Sequence, residues 1–370
     1  MNELNDKYRL GLKKVLSKTE QYNAVHRIDL PRIVLVGENV LKNTCLICHE
    51  LGFKKALIVT GKTTYKIAGK RTQEILEERD IQARCTFVDA ATLEIVHAVK
   101  DEAIKGEFDV VLGVGGGRNI DVAKLSAAQA AKFFISVPTV ASHDGIASSL
   151  ASIKGMDRPY SMKANSPIAV IIDSKIIQES PYRFTASGSG DIISKAVEVE
   201  DWRLAHKENG DYYGAYAGSL SLMSAQHVIE SADLIKEKTQ EGIRTLLEAL
   251  VSCGVAMSIA GSSRPTSGSS HLFSHALDRI TPKSALHGEQ CGVGAIMMSK
   301  LHGFNWRRIK TSLETIGAPT TADGLKIDTK IVIDALVKAR SIRPERYTIL
   351  SKVKLNSKKA TKLARETGVI

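Results

Sequence analysis

The sequence predicts an α/β protein, with an N-terminal Rossmann-like parallel sheet followed by an all-helical C-terminal domain. Up to about residue 180, short β-rich runs alternate with segments long enough for helices. Several runs are apolar throughout, as is typical of parallel strands covered on both faces. Beyond residue 180 the strand signals stop and apolar residues recur at helical spacing. We therefore expect domains over 1–180 and 181–370, with the active site in the cleft between them.

The strand predictions follow the β-rich runs in chain order. The six runs cover 33–36, 56–60, 83–88, 109–112, 133–137 and 168–172. Helices fit between most of them, so right-handed crossovers would make the strands parallel. In the second half, helices are expected within 209–232, 236–260, 268–280, 284–303 and 325–339. Ligands of such sheets bind at the carboxyl ends of the strands, which directs attention to the loops there.

Composition is that of an ordinary globular chain. The 370 residues are 43% hydrophobic and 25% charged, which argues against disorder and fibrous structure. No apolar stretch is expected to reach the roughly 18 residues of a membrane span. The N-terminal segment, 1–20, alternates charged and apolar residues and lacks the features of a secretory signal. These observations predict a cytoplasmic protein without stable membrane insertion.

The five cysteines are odd in number and sparse, so we expect no disulfide framework. The spacing of Cys45, Cys48 and His49 matches the c-type haem attachment motif and half of a zinc ribbon. Haem attachment requires export, and a zinc ribbon requires a second cysteine pair, which the chain lacks. Because apolar residues around them recur near helical spacing, the two cysteines are interpreted as small buried residues on a helix.

The net charge is +11, from 51 Lys and Arg against 40 Asp and Glu. About half of the excess lies in the last 30 residues, which hold eight Lys or Arg and two Glu. We interpret this basic C-terminal segment as a solvated helix face. A nucleic-acid-binding module is the alternative from another class. It is disfavoured because no basic segment is interleaved with aromatic residues, which make up only 5% of the chain.

A glycine-rich loop gives the strongest local signal. The apolar strand around 109–112 leads into Gly113, Gly115, Gly116 and Gly117, and a helix follows at once. Glycines allow backbone N–H groups to approach a phosphate, and the helix N-terminus adds its dipole. The loop lacks the third glycine of the dinucleotide fingerprint, where Arg118 stands, and the Gly-Lys-Ser/Thr of the P-loop. Phosphate binding is favoured over a purely conformational role.

The next predicted strand also ends in a polar loop. Pro138 is followed by small polar side chains within 139–149, among them Thr139, Ser142, His143 and Asp144. Two consecutive strand ends facing one crevice suit a dinucleotide, with the diphosphate on one loop and the nicotinamide on the other. A Ser- and Thr-rich loop by itself does not establish this.

Three histidines crowd into seventeen positions of the helical half. His271 and His275 are four residues apart and share a helix face, and His287 stands near the start of the next helix. With Asp191 from the segment SGSGDIISK, they could form a catalytic zinc site of three protein ligands and an open position. From spacing alone, a structural role for these residues remains an equal alternative.

Five segments in this order give the chain a family resemblance: GVGGGRNIDVAK, SVPTVASHDGIAS, SGSGDIISK, SSHLFSHALD and LHGEQCGVG. Together they resemble the superfamily of glycerol dehydrogenase, iron-type alcohol dehydrogenase and dehydroquinate synthase. The continuation Arg-Asn-Ile-Asp, the loop Thr-Val-Ala-Ser-His-Asp-Gly and the late segment RPERYTIL favour the archaeal-type sn-glycerol-1-phosphate dehydrogenases. The resemblance covers roughly residues 30–350.

The resemblance implies a role for each matching residue. Asp191, His271 and His287 match the ligands of one Zn²⁺ per subunit. Asp144, Asp191 and His275 match substrate contacts, and Asp191 and His275 are expected to take part in catalysis. The implied NAD(P)-binding residues are Gly115, Gly116, Gly117, Arg118, Asn119, Ile120 and Asp121 for the diphosphate, and Thr139, Val140, Ala141, Ser142 and Ser148 for the nicotinamide side.

One departure from NAD-restricted relatives bears on cofactor choice. Those relatives carry an Asp just after the first strand of the cofactor domain, where this chain has Thr60, Gly61 and Lys62. An acid there would repel a 2′-phosphate, whereas Lys62 could attract it. We therefore predict that NADPH is accepted as well as NADH.

The implied reaction is the reversible reduction of dihydroxyacetone phosphate to sn-glycerol 1-phosphate, which would supply the backbone of archaeal-type ether lipids. The metal ion would polarise the carbonyl for hydride transfer. His275 or His143 are candidate proton relays, and Lys195, Lys163 and Arg264 are candidate phosphate ligands. Glycerol dehydrogenase acting on the unphosphorylated substrate and a dehydroquinate synthase-like enzyme are the alternatives. The partners expected are a small-molecule substrate and further copies of the chain in a homo-oligomer, with no nucleic acid.

Overall fold

The computed structural model describes residues 28–153, 160–281 and 285–370. The N-terminal segment used to argue against a secretory signal lies outside these residues. Within them, every one of the six predicted strands is present, shifted by at most three residues at either end. The strands of this sheet are β1 (Ile33–Gly37), β2 (Lys55–Thr60), β3 (Gln82–Phe87), β4 (Val110–Gly115), β5 (Phe133–Pro138) and β8 (Ala169–Asp173).

The sheet is parallel throughout, in the order β1-β8-β5-β4-β2-β3. The interior strands β4 and β8 are buried along their whole length, which explains why they read as continuous apolar runs. Helices connect the strands: α1 (Thr44–Glu50), short helical segments Lys62–Thr64 and Tyr65–Gly69 leading into α2 (Lys70–Glu77), α3 (Leu93–Lys105), and α4 (Gly117–Gln129). The predicted Rossmann-like architecture is confirmed.

One antiparallel hairpin was not predicted. Strands β6 (Leu150–Ile153) and β7 (Tyr160–Lys163) pair outside the main sheet. The Ser152 N–H donates to the Asp121 carboxylate (3.1 Å), and the buried Lys124 ammonium donates to the carbonyl of Leu150 (2.7 Å). These bonds hold the hairpin on helix α4.

The chain changes to helices at α5 (Ser174–Glu179) and α6 (Tyr182–Asn209), beside the predicted boundary at 180/181. The change of structure is confirmed, and the division into two domains stays a prediction. The remaining helices are α7 (Ala215–Glu230), α8 (Ala232–Lys236), α9 (Gln240–Ala260), α10 (Ser269–Ile280), α11 (His287–His302), α12 (Trp306–Ile316), α13 (Thr329–Ala339), α14 (Ile349–Val353) and α15 (Ser357–Glu366). A large apolar core joins them.

Two sequence interpretations are settled by burial. Cys45 and Cys48 are buried on helix α1, and all five cysteines are free thiols, as predicted. The expectation that no apolar stretch reaches span length is wrong for helix α9, which has the length and composition of a membrane span. Its apolar character has a physical reason in the fold, because 67% of that window is buried inside the protein.

Candidate active site

The glycine-rich loop lies where strand β4 passes into helix α4. Gly115 has a φ of +146°, and a Cβ there would collide with the Asn119 side chain. The residue must therefore be glycine, for conformational and steric reasons together. The first N–H groups of α4 have no partner within the helix and point out of its N-terminus, which is suited to a phosphate.

Two residues predicted at the cofactor diphosphate have structural partners. The Asn119 amide donates to Thr64 Oγ1 (2.9 Å) and to the Val114 carbonyl (3.1 Å). The Asp121 carboxylate holds the hairpin and lies 3.4 Å from the Lys124 ammonium. Both fix the first turn of α4 against its neighbours. Their contact with a cofactor, like that of the exposed Arg118, stays a prediction.

The second loop lies directly beside the first, as predicted. Gly115 pairs with Pro138 in the sheet, and the Thr139 N–H donates to the Gly115 carbonyl (3.0 Å). The Thr139 hydroxyl is buried and has no partner among the residues that the structure describes. Buried hydroxyls are rarely left unpaired, so this group fits a polar ligand at the junction of the two loops.

A compact group of metal-ligand side chains lies in the helical half. One donor atom each from Asp191, His271, His287 and Cys291 lie within 4.8 Å of one another. One carboxylate, two imidazoles and a thiol are ligand types that zinc binds. With bonds of about 2.0–2.3 Å, two donors on one ion lie at most about 4.6 Å apart, so the group is close to the required spacing and its chemistry fits a zinc ion. The sequence predicted three of these residues but missed Cys291, which the i, i+4 spacing from His287 could have revealed.

Close helix packing brings the donors together. A Cβ on Gly188 or Gly190 of helix α6 would strike the carbonyl oxygen of Ala141 or of Gly288, respectively. The two glycines thus let α6 approach both the nicotinamide-side loop and the start of α11. Asp191 follows them immediately and faces His287 for this reason.

Two polar side chains orient the imidazoles. The Glu198 carboxylate lies 2.7 Å from His271 Nδ1, and Ser274 Oγ lies 3.0 Å from His287 Nδ1. Both histidines are therefore left with Nε2 toward the group, and His271 Nε2 is 3.5 Å from Asp191 Oδ1. A carboxylate behind a ligating histidine is a common arrangement at zinc sites. Sequence reasoning missed Glu198, one helical turn beyond Lys195.

A buried ammonium group organises the carboxylates. Lys195 Nζ lies 2.6 Å from Asp191 Oδ1, 2.9 Å from Asp144 Oδ2 and 3.1 Å from the Thr266 carbonyl. Burial alone would raise the pKa of Asp191, but Lys195 and then His271 hold that pKa well below its usual range. The ammonium thus donates to Asp191 and Thr266 and forms an ion pair with Asp144, so it serves as an internal counterion rather than as a free cation for a substrate phosphate.

The loop of the sheet half is bonded to this carboxylate as well. The Asp144 N–H donates to Asp191 Oδ2 (3.0 Å). Residues of both halves therefore meet at Asp191, while the placement of the active site in a cleft between two domains stays a prediction. Of the other candidate phosphate ligands, Lys163 is exposed on the hairpin, and Arg264 pairs with Asp211.

His275 lies beside the metal-ligand group, with its ring stacked on His287 at 5.9 Å. Burial, His287 and His271 lower its pKa well below the usual value, and Arg343 and Arg346 lower it further. The imidazole is therefore neutral at pH 7.

The interpretation of the basic C-terminal segment as a solvated face holds for exposed lysines of α15 but is wrong for Arg343 and Arg346, which are half-buried.

Comparison with known proteins agrees with this geometry. The family described as iron-containing alcohol dehydrogenase matches residues 35–181. A glycerol-1-phosphate dehydrogenase [NAD(P)+] from Methanosarcina barkeri is 53% identical over 349 residues, which cover 94% of this chain and 98% of the relative. The chain belongs to the glycerol-1-phosphate dehydrogenase family. A member of this family from Pyrococcus furiosus is 48% identical over 347 residues, covering 94% of this chain and all of the relative.

Solved structures show the same fold at low identity. A probable glycerol dehydrogenase from Sinorhizobium meliloti superposes with a TM-score of 0.77 at 19% identity, covering 94% of this chain and 100% of the other. Glycerol dehydrogenase from Schizosaccharomyces pombe gives 0.75 at 18% identity, covering 94% of each chain. The relatives about 50% identical confirm the predicted family, and these structures confirm the predicted fold class.

Proposed function

We propose that this chain reduces dihydroxyacetone phosphate to sn-glycerol 1-phosphate with NADH or NADPH, in a reversible reaction that uses one zinc ion per subunit. The observation that carries the proposal is the group of Asp191, His271 and His287 at the edge of a dinucleotide-binding sheet. Relatives about 50% identical over 94% of the chain, named glycerol-1-phosphate dehydrogenase [NAD(P)+], support it. The product would provide the backbone of archaeal-type ether lipids.

Asp191, His271 and His287 would hold the zinc ion, which when bound supplies Lewis-acid polarisation of the substrate carbonyl. Lys195 keeps the Asp191 carboxylate ionised, and Glu198 holds the His271 ring in position. Asp144, anchored through its backbone to Asp191, and His275 would contact the substrate. The oxygen at C2 needs a proton after hydride transfer, and His275 or His143 would relay it.

The cofactor would lie across the carboxyl ends of β4 and β5. Its diphosphate would bind the N-terminus of α4, and its nicotinamide would approach the loop beginning at Thr139. Lys62 is exposed just beyond the end of β2, beside β4 in the sheet, and no acidic side chain occupies Gly61. This arrangement supports the use of NADPH as well as NADH.

The test combines metal analysis with oxidation of NADH and NADPH in the presence of dihydroxyacetone phosphate or dihydroxyacetone, and with chiral analysis of the product. We expect zinc, a preference for the phosphorylated substrate and the sn-1 product. Asp191→Ala and His271→Ala should lose both metal and turnover. The exposed His227 supplies a matched control, since His227→Ala should lose neither.

Three outcomes would contradict the proposal. Activity on glycerol at least equal to that on glycerol 1-phosphate would indicate a glycerol dehydrogenase. No net consumption of reduced cofactor would indicate chemistry of the dehydroquinate synthase kind. A metal-free variant with full activity would exclude the zinc mechanism. Homo-oligomer assembly, a cytoplasmic location and the absence of a nucleic-acid partner remain part of the proposal.

A further inference from the structure

We propose that Arg346, assisted by Arg343, binds the phosphate group of the substrate and thereby sets the preference for phosphorylated over unphosphorylated substrate. This inference rests on the proposed function and assigns a subsite to it. Both residues belong to the segment RPERYTIL between helices α13 and α14. Neither was among the candidate phosphate ligands identified from the sequence.

The position of Arg346 is fixed by the loop that precedes helix α10. Its guanidinium donates to the carbonyl of Ser267 and to Ser263 Oγ (2.9 Å). Helix α10 begins two residues after Ser267 and carries His271 and His275 on its first two turns. Arg346 is therefore attached to the start of the helix that supplies a metal ligand and a substrate contact.

The charge of Arg346 is not neutralised by a bonded carboxylate. Both of its hydrogen-bond partners are neutral, and it forms no ion pair within the described residues 28–153, 160–281 and 285–370. Arg264, by contrast, pairs with Asp211 and also donates to the Tyr347 carbonyl (3.0 Å). A half-buried guanidinium bonded only to neutral groups favours an anion as its further partner.

Neighbouring cations strengthen the positive potential at this point. Burial is the first cause that lowers the pKa of Arg346 to about 9, followed by Arg343 and Arg264. Arg343 and Arg346 also act on the pKa of His275, so their charges lie within electrostatic range of its ring. Arg346 is also bonded to the loop directly before helix α10, the helix that carries His275. An anion held by Arg346 would therefore lie near the start of that helix.

The other buried cations near the site are already engaged. The Lys195 ammonium donates to Asp191 and Thr266 and pairs with Asp144, and Lys124 donates to the carbonyls of Gly145 (2.6 Å) and Leu150 (2.7 Å). A phosphate needs strong donors, and the fork of an arginine side chain matches two of its oxygens at once. The guanidinium of Arg346, which bonds only neutral groups, meets this requirement.

A structural role for Arg346 makes a different prediction. If it served only to hold the 263–267 loop against helix α10, its loss would displace His271 and His275 and slow every substrate equally. If it binds the phosphate, its loss should raise the KM for the phosphorylated substrate and have much less effect on the unphosphorylated one. The ratio of the two specificity constants separates the roles.

The experiment uses the full-length zinc enzyme and compares Arg346→Gln and Arg343→Gln with Arg340→Gln, an exposed arginine of the same region. For Arg346→Gln we expect the ratio of kcat/KM for dihydroxyacetone phosphate to that for dihydroxyacetone to fall about 10- to 100-fold, the loss of one or two charged hydrogen bonds. Arg343→Gln should lower it less, Arg346→Lys should restore part of it, and Arg340→Gln should leave it unchanged.

Inorganic phosphate gives a second readout. It should compete with dihydroxyacetone phosphate in the parent enzyme and bind more weakly to both Gln variants. A parallel loss on both substrates, or an unchanged KM and phosphate inhibition constant, would overturn the inference. If Arg346→Gln does not fold, the test passes to Arg343→Gln and the parent enzyme. The inference is overturned if Arg343→Gln is inhibited by phosphate as strongly as the parent, or if phosphate does not inhibit the parent at all. Failure of the parent to reduce dihydroxyacetone phosphate would instead show that the proposed function is wrong.

Discussion

Gly188→Ala is a sharp test of how the site is assembled. The new Cβ would lie well inside 3.0 Å of the Ala141 carbonyl oxygen, whereas an ordinary contact needs about 3.5 Å. Helix α6 and the nicotinamide-side loop must therefore separate by roughly 1 Å. Alanine improves intrinsic helix stability by about 1 kcal/mol, and overpacking against backbone costs about 1–3 kcal/mol. We expect a net loss of up to about 2 kcal/mol in the free energy of unfolding.

The effect on activity should exceed the effect on stability. A displacement of about 1 Å at the site can reduce turnover about 100-fold, because Asp191 lies on the same helix three residues further on. The assays are urea unfolding and steady-state kinetics with dihydroxyacetone phosphate. Gly292→Ala is the matched control, since a Cβ there lies 3.3 Å from the flexible Leu313 side chain. Equal stability and activity for the two variants would refute the reasoning.

Three further predictions follow from the site. Glu198→Gln should weaken zinc binding about 10- to 100-fold in competition with a chelator, because the carboxylate orients His271; unaltered affinity would contradict this. Burial and His271 lower the pKa of His287 from 6.5 to about 3. Between pH 6.5 and about pH 3, the unfolded chain therefore carries a proton on this imidazole that the folded chain lacks. Chelated protein should lose unfolding free energy as pH falls through this window, by about 1.4 kcal/mol per pH unit, and urea titrations of His287→Gln should show a shallower slope. Lys62→Glu should lower kcat/KM for NADPH about tenfold relative to NADH in the same assay, and an unchanged ratio would exclude Lys62 from cofactor choice.

The sheet could be predicted because burial on both faces makes strands such as β4 and β8 apolar along their whole length. Helix α6 could not, although it is 28 residues long. Its sequence around Gly188 and Gly190 resembles a loop, and those residues are small because neighbouring backbone passes so close. Local propensity therefore failed where tertiary packing determines the residue type.

The site was predictable where chemistry restricts the residue, and less so elsewhere. Asp191, His271 and His287 were expected together, and the structure brings them together. Glu198 and Arg346 act through contacts between segments distant in sequence, which no local spacing reveals. Lys195 shows the reverse case, since a plausible phosphate ligand in the sequence is an internal counterion in the fold.

The hydrogen bond from the Asp144 N–H to Asp191 Oδ2 has a thermodynamic consequence. It joins the loop expected to meet the nicotinamide to a carboxylate expected to bind zinc, so each ligand acts on a group that the other orders. Linkage then requires reciprocity: the factor by which zinc changes the dissociation constant of the dinucleotide equals the factor by which the dinucleotide changes that of zinc. Where zinc is limiting, the concentration of dinucleotide would thus change the share of the enzyme that carries its metal, through this same factor at saturation.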